Sequence, residues 1–150
     1  MKKISLPIRF GLVTGIMLIA YFLILALFYK HINPVFSFFN AVIIAFGICE
    51  VVRLRKLEKP ETFTYSEGFK TGTITGFIAT LIFTVFFLFY ATEINPAFLP
   101  ELLQTINGSF NVDIGMVTFV VAVMGLATTV VSVLTVMQFF KKTGNIPQNQ

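Results

Sequence analysis

Four apolar runs, residues 10–29, 35–52, 69–91 and 115–140, dominate the chain, and polar positions gather in the stretches between them. At about 1.5 Å of rise per residue, roughly 20 helical residues cross a hydrocarbon core of about 30 Å. The first and third runs meet that length, the second is the shortest, and the fourth has residues to spare for tilt. The pattern predicts an all-α membrane protein with four transmembrane helices arranged as two tandem hairpins, a single domain over residues 1–150.

The polar stretches punctuate that plan. Lys30-His31-Ile32-Asn33-Pro34 reads as a tight turn, with Pro34 at the first helical position of the second span and His31 as solvated decoration at the membrane interface, a pH-sensing role being the alternative. The second helix runs past the bilayer through Arg53 to Lys59 until Pro60 stops it. Thr64-Tyr65-Ser66-Glu67 reads as a capping box, Thr64 at the N-cap and Glu67 reaching back to it, which starts the third helix at the membrane surface. Between spans three and four, residues 97–106 place Phe98, Leu99, Leu102, Leu103 and Ile106 at helical spacing. This is an interfacial amphipathic helix, read as a linker resting on lipid, with a lid or partner-binding element as the alternative. Residues 143–150 read as a disordered tail.

Two of the runs share a grammar. Arg9-Phe-Gly11-Leu-Val-Thr14-Gly15 opens the first, which closes on Leu27-Phe28-Tyr29 and then Ile32-Asn33-Pro34. Sixty-one residues on, Lys70-Thr-Gly72-Thr-Ile-Thr75-Gly76 opens the third, which closes on Leu88-Phe89-Tyr90 and Ile94-Asn95-Pro96. Seven of the 21 aligned pairs from Arg9/Lys70 to Tyr29/Tyr90 are identical, which favours a parallel internal repeat over convergence on common helix grammar. Both copies start at a basic residue and end at a tyrosine, so the repeat implies a pseudo-twofold axis along the membrane normal rather than an inverted topology.

Composition agrees with the pattern: 56% of residues are apolar, 12% are charged and the mean hydropathy is +0.86. Ten of the eleven Lys and Arg residues precede span one, separate spans two and three, or follow span four. The positive-inside rule therefore puts both termini in the cytoplasm, and the setting expected is a bacterial inner membrane. Lys30 falls on the opposite side with Glu93, Glu101 and Asp113. Because the basic residues flank helices and form no separate basic domain, they argue for membrane lipids as partners and against nucleic acid.

Small residues supply the expected helix contacts. Gly11 and Gly15 form a G-x-x-x-G pair, and Gly68, Gly72 and Gly76 recur every fourth residue. In span four, Thr118, Ala122, Gly125, Thr129 and Ser132 form a seam for a neighbouring helix. Thr73, Thr80 and Thr84 add a weakly polar strip, read as interhelical hydrogen bonding with a polar pathway as the alternative. Tyr21 and Asn40 are each expected to find a partner inside the bundle.

Chemistry is sparse. Glu50 is the one acidic residue inside an apolar run, and Arg53 lies three residues on, so a snorkelling ion pair is preferred to a proton or cation site. Cys49 and His31, the lone cysteine and histidine, are predicted at opposite faces of the membrane and do not make a metal site. No Ser-His-Asp set, G-x-S-x-G or H-E-x-x-H occurs, no cofactor is implied, and the expectation is a protein that is not an enzyme.

Through Tyr65-Ser66-Glu67-Gly68-Phe69-Lys70-Thr71-Gly72, the run to Tyr90, Ile94-Asn95-Pro96 and the closing Lys141-Lys142, the chain resembles a family of small bacterial four-helix membrane proteins classed as a domain of unknown function. The resemblance implies fold and compartment and lends no activity. The leading expectation is a scaffold or accessory subunit that associates with its own copies or other membrane proteins through small-residue faces. The runner-up is a small oligomeric transporter or channel using Glu50 and the threonine-lined faces.

Overall fold

The computed structural model describes residues 4–105 and 112–140, so the tail expected at 143–150 lies outside the described residues. Five α-helices follow in order: α1 (Leu6–Leu27), α2 (Pro34–Glu58), α3 (Tyr65–Phe89), α4 (Phe98–Thr105) and α5 (Ile114–Phe140). A π-helical turn, Tyr90–Ile94, prolongs α3. Helices α1, α2, α3 with its extension, and α5 are each long and apolar enough to cross a bilayer, which makes this a multi-pass membrane protein.

Helix ends follow local chemistry. Asn33 caps α2, its Oδ1 accepting from the Val35 amide at 3.0 Å, and Pro34 occupies the first helical position. Thr64 Oγ1 accepts from the Glu67 amide at 3.2 Å, but the reciprocal half of the capping box does not form. The Glu67 carboxylate turns instead to Arg55, since a guanidinium offers a stronger, charge-assisted bond than a backbone amide. Asp113 caps α5, accepting from the Met116 amide at 2.8 Å. Helix α1 ends in a Schellman pair, Tyr29 N–H to Ala26 O at 3.1 Å and Lys30 N–H to Leu25 O at 2.9 Å. This places Tyr29 at φ 54°, a left-handed conformation that costs a non-glycine residue about 1–2 kcal/mol.

Helix α3 is the hub, packing on α1, α2 and α5, and α2 also touches α1 and α5. Helices α1 and α5 flank the α2–α3 pair with almost no contact between them among the described residues. The twofold axis expected from the repeat is therefore not realised, because it would require α1 to meet α5 as α3 meets α2. Helices α1 and α3 do run parallel, with Gly11 beside Ile78 and Gly15 beside Ile82. That register is six residues out of step with the repeat, so aligned positions sit roughly 9 Å apart along the bundle.

The interior has two zones. Toward the end where Arg9, Arg55, Lys59 and Lys70 gather, Leu18, Ile48, Val51, Val52, Val133 and Met137 form an aliphatic core. At the other end Phe22, Phe87, Tyr90, Ala91 and Phe98 form an aromatic one. Apolar side chains such as Ile16, Phe46, Val85 and Phe119 point outward, as a hydrocarbon solvent allows.

Candidate functional site

The small residues are placed along two interfaces of one chain. Down the antiparallel α3–α5 pair, Gly68 faces Met137, Gly72 faces Val133 and Gly76 faces Thr129; the glycine then changes sides, and Gly125 faces Thr80. A Cβ at Gly68 would lie 2.8 Å from Met137 Cε, at Gly72 3.2 Å from Val133 Cγ2, and at Gly76 2.7 Å from Thr129 Oγ1. At Gly76 and Gly125, where the neighbour is a buried threonine, the helices approach more closely than an alanine permits. Gly11 and Gly15 play the same part between α1 and α3, where a Cβ would stand 2.7 Å and 3.1 Å from the Cβ atoms of Ile78 and Ile82. Ser132 is buried beside Val133, and Ala122 is half-buried nearer the start of α5. Gly47 of α2, packed on Thr14 of α1, belongs to the same class of contact. It escaped the sequence reading because it has no glycine at a helical spacing to announce it.

The hydroxyls divide. Thr129 donates to Gly125 O at 2.9 Å within its own helix, and Thr75 donates to Thr71 O at 2.9 Å and to Pro7 O at 3.2 Å, the latter joining α3 to α1. Tyr21 donates to Phe36 O at 2.9 Å. The buried oxygens of Thr73, Thr80, Thr84 and Asn40 have no hydrogen-bond partner among the described residues, so the partner expected for Asn40 Oδ1 is not found.

Glu50 and Arg53 are brought together, Nη1 to Oε1 at 3.4 Å, with side chains 31% and 61% exposed. So open a pair, one helical turn apart near the basic end, is held weakly. A tighter network lies beside it. Arg55 Nε meets Glu67 Oε1 at 2.9 Å and its Nη1 meets Glu58 Oε2 at 3.3 Å, while Lys59 Nζ reaches Glu67 at 3.8 Å. Arg55 to Glu67 ties the end of α2 to the start of α3. The signal for it was the turn at Pro60, which folds those two helix ends together.

At the opposite end the reading of His31 requires correction. The ring is buried, stacked on Phe98 (centroids 5.3 Å, 21°) and edge-on to Phe22 at 5.6 Å. Its Nε2 stands 3.5 Å from the Tyr90 hydroxyl, and its Nδ1 has no partner among the described residues. Burial lowers its pKa below the ordinary value, an effect partly opposed by the Glu101 carboxylate. The same cluster corrects the reading of α4 as a linker on lipid. Phe98, 2% exposed, inserts among Phe22, Phe87 and Tyr90 and docks α4 onto the bundle, leaving Glu101 and Gln104 on the surface. Cys49 is half-buried beside the aliphatic core as a free thiol.

Neither the curated proteins nor the solved structures include a match to this chain. The sequence model of one family does match, over residues 9–112, which takes in α1 from its first turn through α4 and stops short of α5. With more than half of its length covered, the chain belongs to the family described as "Protein of unknown function (DUF4199)".

Proposed function

We propose that the chain is a non-enzymatic protein of the bacterial inner membrane, an accessory subunit or scaffold that presents a rigid four-span surface to other membrane proteins or to a second copy of itself. The observation that carries this reading is where the small residues go. Gly11, Gly15, Gly68, Gly72, Gly76, Gly125, Thr129 and Ser132 are used inside the monomer, where they lock α1, α3 and α5 together. Ile48, Val51, Val52, Thr75, Val133 and Met137 then fill the centre of the bundle. Association with partners must therefore use the outward apolar faces and the membrane-surface ends, not the glycine seams. The positive-inside rule puts the basic end in the cytoplasm.

The transporter reading draws on a different observation, the unpartnered oxygens of Thr73, Thr80, Thr84 and Asn40 together with Glu50. One experiment separates the two. A photoreactive amino acid placed in turn at Ile16, Phe46, Val85 and Phe119, one outward site per spanning helix, is activated in native membranes, and discrete protein adducts are expected from at least one. Lipid adducts alone at all four sites, together with ion flux in liposomes that Glu50→Gln abolishes, would replace the scaffold reading with transport.

A further inference from the structure

Two adjoining cavities of about 570 and 550 Å³ open at the basic end of the bundle, between the first turn of α1, the end of α2 and the first turns of α3. They share Ser5, Leu6 and Arg55 and together form one groove. Its charges are unevenly matched. Glu58 and Glu67 are both engaged by Arg55, and Glu67 also by Lys59. Arg9 in one cavity and Lys70 in the other have no acidic partner within 4.0 Å among the described residues. The lining therefore carries three cations, Arg9, Arg55 and Lys70, against the two carboxylates, and Lys59 beside it adds a fourth. Ser5 stands at the N-cap of α1 with its hydroxyl uncommitted to the helix, and can donate to an anion in the groove.

The wall changes character with depth. Lys70 lies toward the membrane surface, and Ile74, a turn further along α3 and 39% exposed, joins Leu6 and Pro7 in an apolar wall. Cations set beside an apolar wall match the polarity of a phospholipid better than that of a free anion, which has nothing to place against Ile74. The two cations are also the opening residues of the two repeat copies, and the parallel run of α1 and α3 leaves both toward the same end, about 9 Å apart along the bundle. The geometry points to a binding site for the headgroup of an anionic phospholipid in the leaflet at the basic end, the headgroup reaching between Arg9 and Lys70 and an acyl chain passing Ile74. The site requires only that the chain span a bilayer, so it stands or falls separately from the scaffold reading.

The test uses the whole chain in a neutral detergent, with lipid binding followed by native mass spectrometry and by thermal unfolding. Phosphatidylglycerol should bind and raise the unfolding temperature where phosphatidylcholine does not. Each of Arg9→Gln and Lys70→Gln should weaken phosphatidylglycerol about fivefold, and the pair about 30-fold, taking each basic residue at its usual worth near a lipid surface. Lys56→Gln, at the same end but packed over Phe140 outside the groove, should bind as the parent does. Equal binding of both lipids, or undiminished binding by the double variant, would overturn the site. A rise with inorganic phosphate equal to that with phosphatidylglycerol would overturn the lipid assignment. Should the double variant not fold, a phospholipid with a photoreactive headgroup decides the matter on the unaltered chain. Adducts are expected in peptides carrying residues 5–9 and 64–74, and adducts confined elsewhere refute the proposal.

Discussion

Gly76→Ala sets helix propensity directly against contact distance. In an exposed helix the change would stabilise by about 1 kcal/mol. Here the new Cβ would sit 2.7 Å from Thr129 Oγ1 and 3.0 Å from Thr129 Cβ, with Cγ2 closer still. Thr129 is 2% exposed and already turns both branches toward Gly76, so rotating χ1 exchanges one clash for the other. The remaining relief is to move α5 away, which also loosens Gly72 on Val133 and Gly125 on Thr80. Overpacking of this kind costs about 1–3 kcal/mol, so after the propensity gain of about 1 kcal/mol a net loss of roughly 0–2 kcal/mol is expected in reversible unfolding from micelles. Two companions sharpen the measurement. Gly115→Ala, whose Cβ would meet nothing nearer than Asp113 Oδ1 at 3.6 Å, should be neutral or stabilising. Thr129→Ala added to Gly76→Ala removes both branches and should show a favourable coupling of about 1 kcal/mol in a double-mutant cycle. A Gly76→Ala protein stabilised by the full propensity gain of about 1 kcal/mol, or a cycle without coupling, would refute the close α3–α5 seam.

The ion pairs predict a ranking: Glu50→Gln should change stability by less than about 0.5 kcal/mol, because its pair is long and open. Glu67→Gln should cost about 1 kcal/mol, because the half-buried 2.9 Å bond to Arg55 joins two helices; a denaturation series that reversed this order would contradict the network. His31 predicts a pH dependence, and its sign follows from burial. With its folded pKa below the ordinary 6.5, the neutral ring's contribution is complete above pH 6.5 and is lost as pH falls through that value toward the lowered one. The groups facing the ring are Tyr90 and Glu101, so His31→Phe should flatten the fall in unfolding temperature as pH drops below 6.5, and a flat profile in the parent would exclude the buried neutral ring. Orientation is tested by Lys56→Cys and Gln104→Cys, each in a Cys49→Ala background. An impermeant thiol reagent outside the cell should label position 104 and spare position 56, and the reverse would put the basic end outside.

What could be read from the sequence depended on the range of the interaction behind each feature. The spans were legible because bilayer thickness dictates their length, and Pro34, Pro60 and Thr64 mark helix ends through chemistry confined to a few residues. Gly68, Gly72 and Gly76 revealed a face but not its partner, since the match to Met137, Val133 and Thr129 depends on an antiparallel register set across the whole bundle. Glu67 misled because two acceptable partners competed for it and the distant guanidinium won. His31 misled for a related reason. A lone histidine in a polar turn looks the same whether solvated or buried, and Phe98, which buries it, comes from a helix 67 residues on.

The repeat shows how one motif can serve two purposes. In α1, Gly11 and Gly15 receive Ile78 and Ile82 of α3; their aligned counterparts in α3, Gly72 and Gly76, receive Val133 and Thr129 of α5. Had the copies kept equivalent roles, the α1 glycines would face α2 as the α3 glycines face α5. Instead α3 is approached by α1 and α5 as well as by α2, and its small buried residues, Thr71, Thr75, Ala79 and Thr80 beside the glycines, make room for them. The third glycine fits this account. Gly68 aligns with Pro7, where α1 is only beginning, and in α3 it extends the seam one more step to Met137. Symmetry is therefore lost at α3 itself, through small residues added where a second neighbour had to be seated. Enlarging Gly76 and Thr80, which face Thr129 and Gly125, should separate α5 from the bundle while leaving the α1–α3 contact in place.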